Sequence, residues 1–135
     1  MTWLQALAET LYAFGNVEPQ CGRFDCCQFV ATYVERLTGV DHSERFTYDD
    51  DLSAARLIVE HGGIEGLISS CLGAPRSPVA LGDVVSFNIA PRDEPKEVIA
   101  VGIHLGYCSM FFDHKIGLSR TVREVRHAWS ATRVG

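Results

Sequence analysis

The chain has no long apolar run, no basic cluster and no paired metal-ligand spacing, and each absence closes off a class of function. Gln5 and Glu9 interrupt residues 1–14, no basic segment opens them, and their apolar residues recur at helical steps. Neither a signal peptide nor a membrane span is expected. Twelve basic residues stand against 17 acidic ones, a formal charge of −5, and the Lys and Arg do not gather on one predicted face. Nucleic acid is therefore not expected as a direct partner. Cys21, Cys26, Cys27, Cys71 and Cys108 form no C-x-x-C or C-x-x-H pair, so neither a metal nor a cofactor is expected. Their odd number, with an adjacent pair poorly placed to bridge within itself, points to a reducing compartment.

What is there fits one globular domain over residues 1–135, since 47% hydrophobic residues in a chain of that length can bury a core. Helical patterns come first and strand patterns last, the order of an α+β domain, with a helical half over about 1–72 and a strand half over about 79–135. Trp3, Leu4, Leu7, Leu11 and Phe14 predict a helix over 2–14, stopped at Gly15. Asp25 is a candidate N-cap for a second helix carrying Cys26, Phe29, Val30, Tyr33, Val34 and Leu37, which exits at Thr38-Gly39. Residues 40–51 read as a polar surface connection that caps a helix over about 52–60. His61-Gly62-Gly63 breaks that helix, Ile64 to Cys71 adds a short one, and 73–78 is a loop. Strands are predicted over 83–88, 97–105, 109–114 and 128–134, and 91–96 is a charged hairpin connection longer than a tight turn.

Chemistry concentrates in Gly22-Arg23-Phe24-Asp25-Cys26-Cys27-Gln28-Phe29-Val30. A thiol in the first turn of a helix meets unpaired N–H groups and the positive end of the dipole, which makes Cys26 a candidate nucleophile. Cys27, about 100° further round the axis, packs into the core. Asp25 opposes the thiolate unless its carboxylate turns away into a cap. The other reading makes both cysteines small buried residues that fill space. Asp83, after Gly82, is expected to bond backbone rather than metal, and Trp3 and Trp129 to pack the ends of the fold.

Asp25-Cys26-Cys27-Gln28, Gly82-Asp83-Val84-Val85 and Ala100-Val101-Gly102-Ile103 fall where the NlpC-type papain-like cysteine peptidases carry Asp-Cys-Ser-Gly, Gly-Asp-Leu-Val and His-Val-Gly-Ile. Over 20–114 the chain resembles that superfamily. It resembles more closely the small phage tail-associated relatives, through Asp25-Cys26-Cys27, Thr38-Gly39-Val40-Asp41, Gly62-Gly63, Gly82-Asp83-Val84, Gly102-Ile103-His104-Leu105-Gly106 and Ala128-Trp129. The resemblance implies a papain-like domain, N-terminal helices on a small antiparallel barrel-like sheet. It also implies a phage tail-tip or tail-assembly component in the virion, made in the host cytoplasm and bound to other tail proteins.

The catalytic histidine of that superfamily falls on Ala100, so the resemblance implies a degenerate site, in which restoring His at 100 is expected to lower the Cys26 pKa. A thiol peptidase needs an imidazole within about 3–4 Å of its sulfur. His104 shares the strand face of residue 100, but four residues along a strand is about 13 Å. His114 is the better candidate base, because a hairpin turning near Tyr107 sets 100 opposite 114; a shift of one residue brings Asp113 across instead. His42, His61 and His127 sit in predicted loops with no reason to converge. The alternative function is an active cysteine endopeptidase or amidase cutting peptidoglycan stem peptides, with Cys26 as nucleophile and His114 as base.

Overall fold

Thr2 accepts the Gln5 backbone N–H while the Gln5 side chain accepts that of Thr2, a reciprocal cap that starts helix α1 (Trp3–Phe14). The computed structural model describes residues 1–90 and 96–132. Asp25 caps α2 (Cys26–Thr38), which closes on Gly39 at a left-handed φ of 81°. A short 3-10 turn (His42–Arg45) leads to α3 (Asp51–Glu60), capped by Asp50, and then to α4 (Ile64–Leu72). Among the described residues, no helix is long and apolar enough to cross a membrane.

Among the described residues, five strands follow: β1 (Val84–Ile89), β2 (Val98–His104), β3 (Ser109–Asp113), β4 (Gly117–Thr121) and β5 (Val125–Trp129). They form one antiparallel sheet in the order β4-β3-β2-β1-β5. The protein is thus α+β, with its helices ahead of its strands. Alternation along each strand splits the core in two. Val84, Val101, Ile103, Phe112 and Trp129 join Phe14, Phe29, Tyr33 and Ile68 of the helices, whereas Val85, Phe87, Ala100, Phe111 and Ala128 form a second cluster. Phe14 meets Phe24, Phe29 and Phe112 edge-to-face at centroid distances of 5.4, 5.4 and 5.3 Å, which ties α1 to α2 and β3. Burying each such ring contributes about 1.5–3 kcal/mol.

The helices lie where periodicity and caps place them; the last third of the chain differs. β4 has no counterpart in the predicted strands, because Gly117–Thr121 is polar and follows a turn whose Asp113 Oδ2 accepts the N–H groups of Lys115 and Ile116. The final strand is Val125–Trp129 rather than 128–134: a bulge after Ser86 lets Phe87 pair with Val125, and β5 ends at Trp129. Of the predicted connection over 91–96, residues 91–95 lie outside the described residues, as do 133 and 134. Asp83 does bond backbone, accepting the Ala80 N–H at 2.9 Å, and it also pairs with Arg76. Trp3 lies over Gly82, where a Cβ would come within 2.8 Å of its ring, and Trp129 Nε1 donates to Ser69 Oγ at 3.0 Å.

Glu65, in the first turn of α4, ties that helix to the sheet. Its Oε2 accepts Ser86 Oγ (2.6 Å) and Arg126 Nε (3.2 Å), and it meets His127 Nδ1 at 2.7 Å. Burial raises its pKa, but the bonds from Arg126, Ser86 and His127 outweigh that and bring it from 4.5 to about 2. The stabilisation is therefore complete above pH 4.5 and is lost as pH falls towards 2. Glu65→Gln should cost roughly 1–2 kcal/mol at pH 7, a figure kept low by solvent contact. It should also flatten the acid limb of stability, read as thermal midpoint against pH. An unchanged acid limb would show that another carboxylate governs it.

Candidate functional site

The start of α2 is built around one carboxylate. Asp25 Oδ1 accepts the Gln28 N–H at 2.8 Å; Oδ2 accepts both the Gly22 N–H and the Tyr48 hydroxyl, each at 2.8 Å. The charge is thus turned into the cap, as the sequence required if the neighbouring thiolate was to be tolerated. Gly22 has a φ of +86°, and a Cβ there would stand 2.2 Å from the Tyr48 carbonyl oxygen, so only glycine lets the 46–49 segment cross the turn. The phenol of Tyr48 is pushed far up by burial, then by Cys27 and Asp25, and keeps its proton as a donor.

Cys26 is half-buried against the sheet. The β2–β3 ladder pairs Ile103 with Met110 and His104 with Ser109, then stops, and the Val101 backbone N–H points to the Cys26 sulfur. A bond from the Cys27 thiol lowers the Cys26 pKa most; burial and Asp25 act against it, and the N–H groups of Val101 and Cys27 add to the lowering. Cys27 moves the other way, raised well above 9.0 by its bond to Cys26 and by burial. Within the pair, Cys26 is the thiolate former and Cys27 the proton holder. Cys27 packs against the helix-side core, as expected, and also lines a cleft between α2 and α4. Cys21 is raised to about 11 by burial and then by Asp25 and Asp51.

Among the described residues, no hydrogen bond joins an imidazole to Cys26. Ala100 is 5% exposed, and its side chain belongs to the second cluster, with Val85, Phe87, Phe111 and Ala128. His104 Nδ1 lies 3.4 Å from Ser109 Oγ at the end of β2. The Ile103–Met110 register, continued along the strands, sets residue 113 opposite 100, the shifted of the two alternatives. His114 stands exposed in the β3–β4 turn. His61 Nδ1 lies 2.9 Å from the Leu57 carbonyl oxygen, and His127 meets Glu65. His42, expected not to converge on anything, lines the same cleft as Cys27. Tyr48 is the residue that sequence reasoning missed: it reaches Asp25 across 23 positions, and only the Asp49-Asp50-Asp51 cap signal beside it hinted that this loop was fixed. Among the described residues, no group of three or more His, Cys, Asp or Glu could hold a metal ion.

The buried position of Ala100 overturns the expectation that restoring a histidine there activates the thiol. An imidazole at 100 enters an apolar cluster turned from α2, and overpacking of that kind costs about 1–3 kcal/mol. Ala100→His should therefore lower the chemical-denaturation midpoint and leave the alkylation rate of Cys26 at the wild-type value across pH 6–9. A faster Cys26 reaction with a new inflection near pH 6.5, on the order of an ordinary imidazole pKa, would reverse this conclusion.

Residues 1–131, which contain the thiol helix and all five strands, match the family described as a domain of unknown function, DUF6950. No curated protein matches the chain, and no solved structure does. By that match, the chain belongs to the DUF6950 family.

Proposed function

We propose that this protein is a phage tail-tip or tail-assembly component on an NlpC-type, papain-like framework, whose cysteine peptidase site has lost its base. The observation that carries the degenerate-site reading is that, among the described residues, no imidazole is hydrogen-bonded to Cys26, and the side chain of Ala100 lies in the second cluster, away from α2. The Cys27 thiol, against burial and Asp25 and with help from the Val101 and Cys27 N–H groups, lowers the Cys26 pKa. Thiolate stabilisation alone moves no proton to a leaving amine, so the site lacks the second half of acyl transfer. The packing of α2 on β2 and β3 supports the papain-like assignment. The tail assignment rests on the run of motifs from Asp25-Cys26-Cys27 to Ala128-Trp129.

In this reading the fold serves as a rigid shape and its surface carries the function. The contacts are assigned to the connections 40–51 and 89–97 and to the C-terminal tail, with an interface on the order of 1,000 Å² or more against other tail proteins. An active peptidoglycan endopeptidase or amidase would need His114 to serve Cys26, and His114 is exposed in the β3–β4 turn.

Purified protein should release no detectable product from peptidoglycan fragments, and mass spectrometry of purified particles should find the chain at fixed stoichiometry in virions or tail intermediates. Turnover abolished by Cys26→Ser would reject the degenerate site. Absence from particles and intermediates, with normal tails formed without the gene, would reject the tail role.

A further inference from the structure

The bulge in β5 gathers an imidazole and a guanidinium on one carboxylate, away from the thiol helix. Ser86 faces His127 and Phe87 faces Val125, which leaves Arg126 and His127 together opposite Ser86. An extra residue of this kind re-aims side chains that strict alternation would part. Both reach Glu65 of α4, Arg126 through Nε and Nη2 at 3.2 and 3.3 Å and His127 through Nδ1 at 2.7 Å.

The carboxylate fixes the state of the ring. With its pKa brought to about 2, Glu65 is ionised at pH 7 and only accepts, so His127 Nδ1 donates to it and carries the ring hydrogen. In the neutral imidazole Nε2 then keeps its lone pair, and no partner meets it among the described residues. The His127 side chain is 47% exposed, so a reagent can reach the ring. Arg126 is 37% exposed, and its Nη1 is likewise without a partner among the described residues. Both residues line a cleft of about 500 Å³ together with Arg76, which also spends Nε and Nη2 on a carboxylate, that of Asp83.

A nitrogen lone pair beside an oriented guanidinium suits phosphoryl transfer better than acyl transfer. An acyl group needs N–H donors converging on one oxyanion, whereas a phosphoryl group spreads its charge over three oxygens that a guanidinium fork binds. We propose that His127 is a phosphoryl-acceptor site, at which Nε2 attacks the phosphorus of a phosphoramidate while Arg126 holds the phosphoryl oxygens. The Nε2–P bond forms as the donor's P–N bond breaks, and the protonated donor nitrogen leaves with that electron pair as a neutral amine. The phosphorylated ring keeps its Nδ1 hydrogen on Glu65, which faces the positive charge the ring acquires. A P–N bond replaces a P–N bond, so the exchange needs no further reactant. The site does not depend on the tail reading.

The test uses the full chain with isotope-labelled histidine. Ring-nitrogen NMR should show His127 with its hydrogen on Nδ1. Potassium phosphoramidate should then label His127, read by phosphorus NMR and peptide mass spectrometry, about tenfold faster than His114, which stands exposed in the β3–β4 turn. Arg126→Gln should slow that labelling about tenfold, and Glu65→Gln should slow it and also return the ring to a mixture of tautomers. The tautomer and the preference for His127 over His114 are both read in the unmodified chain, so the proposal stands or falls even where Glu65→Gln does not fold. Three results would overturn it: no preference for His127 over His114, a ring hydrogen on Nε2, or labelling indifferent to Arg126→Gln. None of these bears on the particle composition that tests the tail role.

Discussion

Much of this structure hangs on the carboxylate of Asp25. By accepting from Gln28, Gly22 and Tyr48 together, it starts a helix, closes the glycine turn before it and pins a segment 23 residues further along the chain. An N-cap alone is worth about 0.5–2 kcal/mol. Here the same oxygens also fix the end of the 42–48 segment, and with it one wall of the cleft. The electrostatic consequence runs the other way. The group that places Cys26 at the helix start is also a negative charge beside it, and it works against the thiolate even while bonded elsewhere.

The sheet solves its own problem at both edges. On β5 the Ala128 carbonyl accepts the Arg76 N–H at 2.7 Å, and Arg76 is held in turn by the buried Asp83, so the 76–83 segment covers that edge. β4 is short and carries Arg120, a length and a charge that discourage further pairing. Inside the sheet, Gly102 permits β3 to approach: a Cβ there would fall 2.2 Å from the Met110 carbonyl oxygen. Beyond that close contact the strands part, and the parting frees the Val101 N–H for a sulfur.

Local signals were legible, and distant ones were not. Asp25 and the acidic end of the 40–51 connection announced helix starts because a cap is written within four residues, and Gly39 announced an end for the same reason; the Thr2 cap of α1 was not singled out. β4 was hidden by Gly117, Ser119 and Arg120, residues that an edge strand tolerates and a propensity reading discounts. The Asp113 turn was the available clue. Tyr48 and His42 could not be assigned, since nothing local says where a loop will land once two helices close on it. The His104 and Ala100 faces followed from parity alone. The β2–β3 register did not, because both alternatives satisfy the same alternation and differ by one residue of turn.

That single residue decides what the thiol can do. Parity puts 99, 101 and 103 towards the helices and 100 and 102 away from them, so the backbone of β2 reaches Cys26 while the side chain at 100 does not. The Cys27 thiol, two backbone N–H groups and the helix start all offer the sulfur donors, against the charge of Asp25. Donors hold negative charge in place and lower the pKa. They accept no proton, and a hydrolytic cycle needs a group that takes a proton and returns it. The arrangement therefore lowers the Cys26 pKa against burial and Asp25, with no imidazole bonded to the sulfur among the described residues, and Cys26 packs α2 onto the helix-facing side of the sheet.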